Sequence, residues 1–251
     1  MSARFAIASQ QIIENAAPPI STYPITMGMW FKMDAATAAV QQLWGLSDTA
    51  SNNNFFRLTL TAGELLSASV KDSGTAASAA TLATAVVAGQ WTFCISRFIS
   101  ATSRHIAAMY QSGLIEHATN AVSRTPPSCD LMTVGGRRGT TSQEWFGGDI
   151  AEFWYTSSDI QADGAQLQNS TLRHLARYGP FSLPHIAKDI VEYRAFRSCL
   201  TSDQDQGTEI YTGAGKTRQV WTNTNTAILA AHCPLPGCYR RPVDIASVTV
   251  F

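Results

Sequence analysis

Asp149 and Glu152, in the run Asp149-Ile150-Ala151-Glu152, are the nearest thing in this sequence to a pair of cooperating acids. Cleavage of a glycosidic bond needs two carboxylates flanking it, one as acid and one as nucleophile or base. On a regular strand an odd separation sends two side chains to opposite faces, so this pair converges only across a bulge. The run reads instead as a turn at Gly147-Gly148-Asp149 followed by a solvent-facing Glu152, and Glu14, Glu64, Glu116 and Glu144 are isolated. Gly213-Ala214-Gly215-Lys216-Thr217 ends like a phosphate-binding loop. It lacks the first glycine at the required spacing and has no apolar strand leading in or helical pattern leading out, so it reads as a loop. Cys233 and Cys238, preceded by His232, bring two thiols and an imidazole together, but the spacing is wider than Cys-x-x-Cys and no second pair follows. A proline-rigidified loop is expected there. His105, His117, His174, His185 and His232 are scattered, and no Gly-x-Ser-x-Gly motif is present. No catalytic, cofactor-binding or metal-binding residue is assigned on this basis.

The elements that would position any such site are all short and alternating. Ile25, Met27, Met29 and Phe31 share one face of a segment whose other face carries Trp30, which is strand periodicity, and Gly28 within it suggests a bulge. Val40 to Leu46, Asn54 to Thr61 and Glu64 to Lys71 read as strands, the last two joined by a tight Ala62-Gly63 turn. Trp91, Phe93 and Ile95 alternate with Thr92, Cys94 and Ser96, and Ile106 to Gln111, Leu131 to Val134 and Ile150 to Tyr155 continue the series. Many short strands at near-regular spacing predict an antiparallel two-sheet sandwich of the jelly-roll kind.

The pattern changes near residue 160. Ser158-Asp159 offers a helix cap, and Leu167, Leu172, Leu175 and Ala176 fall near one helical face before Tyr178-Gly179-Pro180 stops it. Pro184 opens a second helical pattern through Ile186, Ile190, Tyr193 and Leu200. Thr201 to Asn225 is polar and reads as an extended arm, and Val243 to Phe251 ends the sequence on a β-prone run. The expected organisation is an arm over 1–20, the sandwich over 21–160, a helical segment packed on it over 161–200, and an extended arm with a terminal strand over 201–251.

Composition narrows the setting. The 251 residues are 45% hydrophobic and 14% charged, with 18 Lys and Arg balancing 18 Asp and Glu. A neutral, charge-poor surface does not steer toward phosphate backbones, so nucleic acid is not an expected partner. No apolar run reaches the length of a membrane helix, and membrane insertion is not expected. Met1 to Phe5 carries one cation and runs into Gln10-Gln11 without a long apolar core, which predicts synthesis and folding in a cytoplasm. The five widely spaced cysteines predict free thiols.

Trp30-Phe31, Phe56-Arg57-Leu58 through Leu66, Gly89-Gln90-Trp91-Thr92, Gly135-Gly136 and Phe146-Gly147-Gly148-Asp149-Ile150-Ala151-Glu152 form an ordered set. Over about residues 20–160 that order resembles the laminin-G-like, or concanavalin A-like, lectin/glucanase superfamily. The continuation, Ala176-Arg177-Tyr178-Gly179-Pro180-Phe181 through Ile190-Val191-Glu192-Tyr193 to a Pro-rich end at Arg241-Pro242, resembles members of that superfamily encoded by tailed bacteriophages and prophages. The resemblance implies an all-β, concanavalin A-like sandwich. Glucanases of the superfamily carry a Glu-x-Asp-x-x-Glu type pattern that this chain lacks. Its lectin-like members hold calcium and sugar in rim loops with Asp and Asn oxygens. Asp48 with Asn52, Asn53 and Asn54 is the local cluster of that composition here, with Trp44 or Trp145 available to stack on a sugar.

Two functions follow as expectations. One is a non-enzymatic structural protein of a virion, such as a capsid decoration or head-fibre protein on the outer surface of head or tail. It would contact the major capsid protein, other virion proteins and copies of itself, with no cofactor. The other is a carbohydrate-binding module for attachment to a cell surface, with calcium at the Asp48 cluster.

Overall fold

The structure is a computed structural model that describes residues 2–51, 53–73, 75–137, 144–161, 165–194, 222–224 and 228–230. Two antiparallel sheets stack face to face. The strands are β1 (Ser2–Phe5), β2 (Ile12–Asn15), β3 (Ile25–Met33), β4 (Gln41–Ser47), β5 (Phe55–Leu60), β6 (Leu65–Lys71), β7 (Ser78–Ala85) and β8 (Trp91–Ser100). They continue as β9 (Ser103–Tyr110), β10 (Ile115–Asn120), β11 (Leu131–Val134), β12 (Gly148–Thr156), β13 (Ile190–Arg194), β14 (Thr222–Thr224) and β15 (Ile228–Ala230). The first sheet runs β10-β9-β8-β3-β12-β1-β15, with β13 also on β12, and the second runs β14-β2-β11-β4-β5-β6-β7.

The alternation in β3 shows why the sheets stack. Ile25, Met27, Met29, Phe31 and Met33 point into the space between the sheets, where they meet Leu43, Leu46, Phe56 and Leu58. Trp30 points the other way and joins Phe93, Ile95, Ala107, Ala151 and Trp154 in a second apolar cluster on the outer face of the first sheet. That face is covered by α1 (Asn169–Tyr178), whose buried Leu172, Leu175 and Ala176 lie in the same cluster. The Trp30 indole N–H donates to the Ala176 carbonyl at 3.2 Å, which pins the helix to the strand. The first sheet is thus buried on both faces, and each large aromatic it removes from water contributes about 2–3 kcal/mol.

Several sequence expectations change at this level. The bulge lies not at Gly28 but on the facing strand, where the register between β12 and β3 shifts between Ala151 and Trp154 and Glu152 adopts φ 53°. Gly28 is small for another reason: a Cβ there would come within 2.4 Å of the Trp154 indole. Residues 2–15, expected as an arm, supply a strand to each sheet, β1 on β12 and β2 on β11. Their apolar residues Ala3, Phe5 and Ile13 belong to the core. Ser158-Asp159 does not cap a helix. Asp159 is taken by Arg97 on β8 at 2.6 Å, and Arg97 also donates to the Ala165 carbonyl at 2.7 Å, so the helix begins only at Asn169. It stops where expected, with Gly179 at φ 76° and its N–H bonded to the Leu175 carbonyl.

The second helix, α2 (Pro184–Ala187), is a single turn. Within the described part of its expected length Ile190–Arg194 form β13, because Phe153–Thr156 of β12 presents a ladder that they complete. β7 and β10 were not expected as strands. They form the two sheet edges that meet along one side of the sandwich. There Tyr110 Oη donates to the Thr84 carbonyl at 2.9 Å, the Thr84 hydroxyl and N–H donate to Glu116, and Ser78 Oγ donates to Asn120 at 2.6 Å. The fully buried Arg104 completes the seam, donating to Asn120 and to the carbonyls of Ala101 and Val122 at 2.7–3.0 Å. The 201–251 arm is described only at β14 and β15, which pair with β2 and β1. Leu200, Gly213 to Thr217, the Cys233–Cys238 cluster with His232, and the Val243–Phe251 run lie outside the described residues.

Candidate functional site

The Asp48 cluster sits at one end of the sandwich, in the loop between β4 and β5. Asp48 Oδ1 accepts the Ala50 N–H at 2.9 Å, and its Oδ2 accepts Asn54 Nδ2 at 2.9 Å. The Asp48 N–H donates to the Asn54 carbonyl at 3.1 Å, closing the loop. Asn53 Oδ1 accepts the Lys71 ammonium at 2.7 Å. On the adjoining loop Asp130 receives both the N–H and the hydroxyl of Thr49, at 2.8 and 2.7 Å. Asn54 is buried, and Asn52 lies outside the described residues. Calcium asks for six to eight converging oxygens. Here each Asp48 oxygen accepts a hydrogen bond within the turn, and the Lys71 ammonium lies on the Asn53 carbonyl. Among the described residues no three His, Cys, Asp or Glu side chains gather into a metal-sized group.

Asp149 does not turn the chain. It lies within β12, 0% exposed, with its Oδ2 2.8 Å from the Lys32 ammonium and 3.3 Å from the Arg4 guanidinium. Arg4 continues to Asp34 at 2.6 Å, and Lys32 lies over the Trp91 ring at 5.3 Å. The row Arg4, Asp149, Lys32, Trp91 crosses four strands in register. The β12 bulge at Glu152 supplies the irregularity a catalytic pair would need, yet Asp149 is closed in by two cations and is not presented to a substrate. Glu152 is half-buried rather than freely exposed.

A polar cluster that no local spacing announced lies on the outer face of the second sheet. Arg57 on β5 places one guanidinium nitrogen 2.6 and 2.7 Å from the two Glu144 oxygens and donates Nε to Ser69 at 3.0 Å. The Phe55 ring carries Arg57 at 4.4 Å and Arg137 at 4.9 Å. Burial pulls the Arg137 guanidinium below its ordinary range, with Glu144 opposing. Gln42 donates to Thr133 Oγ1 at 3.0 Å and to the Gly136 carbonyl at 2.8 Å. Trp145 rests on Gly136, where a Cβ would come within 2.5 Å of the indole. Trp44, the other aromatic considered for a sugar ring, is in the core, stacked on Phe98 at 6.0 Å. Arg57 and Glu144 are 87 residues apart, and only the fold brings them together.

A shallow concavity lies on the outer face of the first sheet. Arg97, His105, His117, Gln166 and Leu167 help line a depression of about 10 Å³, room for about one water. His117 Nε2 lies 2.6 Å from Asn169 Oδ1, and His105 Nε2 lies 3.2 Å from Ser103 Oγ. Burial first, then Arg97 and His117, push the His105 ring below its ordinary value, and Asp159 opposes them. Cys94 and Cys129 are free thiols; burial raises both, Cys129 to about 12, so neither is a ready nucleophile.

Residues 8–163 match the Laminin_G_3 family model, described as the concanavalin A-like lectin/glucanases superfamily. The chain belongs to this superfamily. Solved structures agree with this concanavalin A-like sandwich at the level of fold. A putative carbohydrate binding protein from Bacteroides ovatus ATCC 8483 aligns with a TM-score of 0.56 and 11% identity, over 88% of this chain and 57% of that one. The K499G mutant of NanB sialidase from Streptococcus pneumoniae aligns with a TM-score of 0.51 and 16% identity, over 67% of this chain and 28% of that one. This concanavalin A-like chain thus spans only part of either protein, and such identities establish the fold alone. No curated protein sequence matches it.

Proposed function

We propose that this lectin-like sandwich is a non-enzymatic structural component of a bacteriophage particle, a capsid decoration or head-fibre protein that works through protein contacts. One observation carries the reading. The described part of the segment whose residue order resembles phage-encoded members of the superfamily, 176–193, is built into the sandwich: α1 and α2 pack on the outer face of the first sheet, and β13 adds a strand to that sheet beside β12. Over 176–193 the phage-like order is therefore part of the same packed unit as the core. The Asp149 ion pairs and the low charge of the surface support contact over chemistry.

Glycan recognition is the second reading, favoured by the half-buried Trp145 beside Arg57 and Glu144 on the outer face of the second sheet. One experiment separates the two. Purified chain is added back to particles made without it and, in parallel, applied to a glycan array. Saturable binding at fixed copies per capsomer with an empty array supports the structural role. Retention on a defined sugar, lost in Arg57→Ala, with no binding to particles supports recognition.

A further inference from the structure

Three basic side chains from adjacent strands, Arg97 on β8, His105 on β9 and His117 on β10, line the small cavity that Gln166 and Leu167 close over on the way into α1. Two of them hold the covering segment. Arg97, 1% exposed, pairs with Asp159 and donates to the Ala165 carbonyl, and His117 Nε2 lies 2.6 Å from Oδ1 of Asn169, the first residue of α1. His105 holds none of it. Its Nε2 lies 3.2 Å from Ser103 Oγ on its own strand, and its Nδ1 is buried with no hydrogen-bond partner among the described residues. A neutral ring meets this by carrying its N–H on Nε2. A protonated ring carries N–H on both nitrogens, and the buried Nδ1–H then has only a space for about one water near it. Charge does not compensate. Arg97 and His117 act on the ring as cations, and Asp159, the anion that opposes them, already pairs with Arg97. From α1 the one imidazole, His174, lies against Tyr178 at 4.9 Å.

We propose that His105 is an acid-sensitive latch: when it takes a proton, α1 separates from the first sheet more often and uncovers the apolar face of Trp30, Phe93 and Trp154. Lifting the helix lets water accept the Nδ1 proton, which the closed cavity does not. Burial, Arg97 and His117 hold the ring below its ordinary value, so the covered state binds the proton less readily than the uncovered one. Falling pH therefore shifts the balance toward the uncovered state. The packing allows the cover to move by itself. Leu172, Leu175 and Ala176 of α1, with Ile160 and Leu167 before it, belong to the outer apolar cluster and not to the core between the sheets. β13 stays, because Val191 belongs to the inter-sheet core and the strand is laddered to β12. The latch is a property of the chain alone and stands whether or not the chain is carried on a particle.

Native-state hydrogen exchange of the full chain at about pH 7.5 and about pH 5, corrected for intrinsic rates and repeated at low denaturant, tests this. The amides of Leu172 to Gly179 are expected to lose protection at least about threefold at the lower pH, through an opening that low denaturant barely accelerates. The amides of β4, β5 and β6 should instead exchange through global unfolding, with its steep denaturant dependence. His105→Gln should remove the pH response of α1. His174→Gln, which replaces the imidazole on the helix itself, should keep it. The proposal is overturned if α1 protection is the same at both pH values, or if α1 and the second sheet share one rate and one denaturant dependence. It is equally overturned if the response survives in His105→Gln or is lost in His174→Gln. Should His105→Gln lack a folded circular dichroism spectrum, His105→Asn carries the same test with the same outcomes.

Discussion

Asp149 is held by two cations that are themselves only partly buried, Lys32 at 16% and Arg4 at 36% side-chain exposure. Asp149→Ala would leave those cations free to turn toward water, so the expected loss is about 2 kcal/mol rather than the larger cost of stranding a fully buried charge. Chemical denaturation checks it; an unchanged midpoint would mean the row across the strands contributes nothing. His105 gives a pH signature. Its ring is held below its ordinary value of 6.5 by burial, Arg97 and His117, so the fold favours the neutral form. The stability it confers is complete above about pH 6.5 and declines as pH falls from there through the lowered folded value. His105→Gln should flatten the slope of thermal stability against pH below 6.5, and an identical slope in the variant would refute it.

Elements explain what the sequence could and could not disclose. Gly28→Val should cost at least about 3 kcal/mol, because the new side chain meets the Trp154 indole where even a Cβ has no room; equilibrium unfolding reads it, and a loss below 1 kcal/mol would deny the close approach. Leu175→Ala should cost about 3 kcal/mol by opening a cavity between α1 and the first sheet, with native-state exchange showing whether the helix loosens from Trp30. β3 was legible because its large apolar residues alternate without interruption. β7, Ser78–Ala85, is alanine, serine and threonine, and β10 carries Glu116 and His117, so neither offers an apolar face to read; both form because neighbouring strands supply a ladder. Ile186, Ile190 and Tyr193 recur at spacings a helix would also use. The open edge of β12, a tertiary feature, decides for a strand at β13. The Arg57–Glu144 pair had no sequence signal at all, since Glu144, on the loop before β12, meets Arg57 of β5 only once the chain has folded.

For the molecule as a whole, the two-sheet sandwich of the concanavalin A-like superfamily is shown, and its outer cover of α1 and α2, with β13 added to the sheet beside β12, makes the first sheet a buried layer. The central claim is that the chain occupies fixed positions on a phage particle, and electron cryomicroscopy of purified particles tests it most directly. Sandwich-shaped density with α1 resolved, repeated at symmetry-related sites on head or tail and missing from particles made without the chain, is the predicted result. Particles that are identical with and without the chain, together with measured polysaccharide turnover by the free protein, would contradict it.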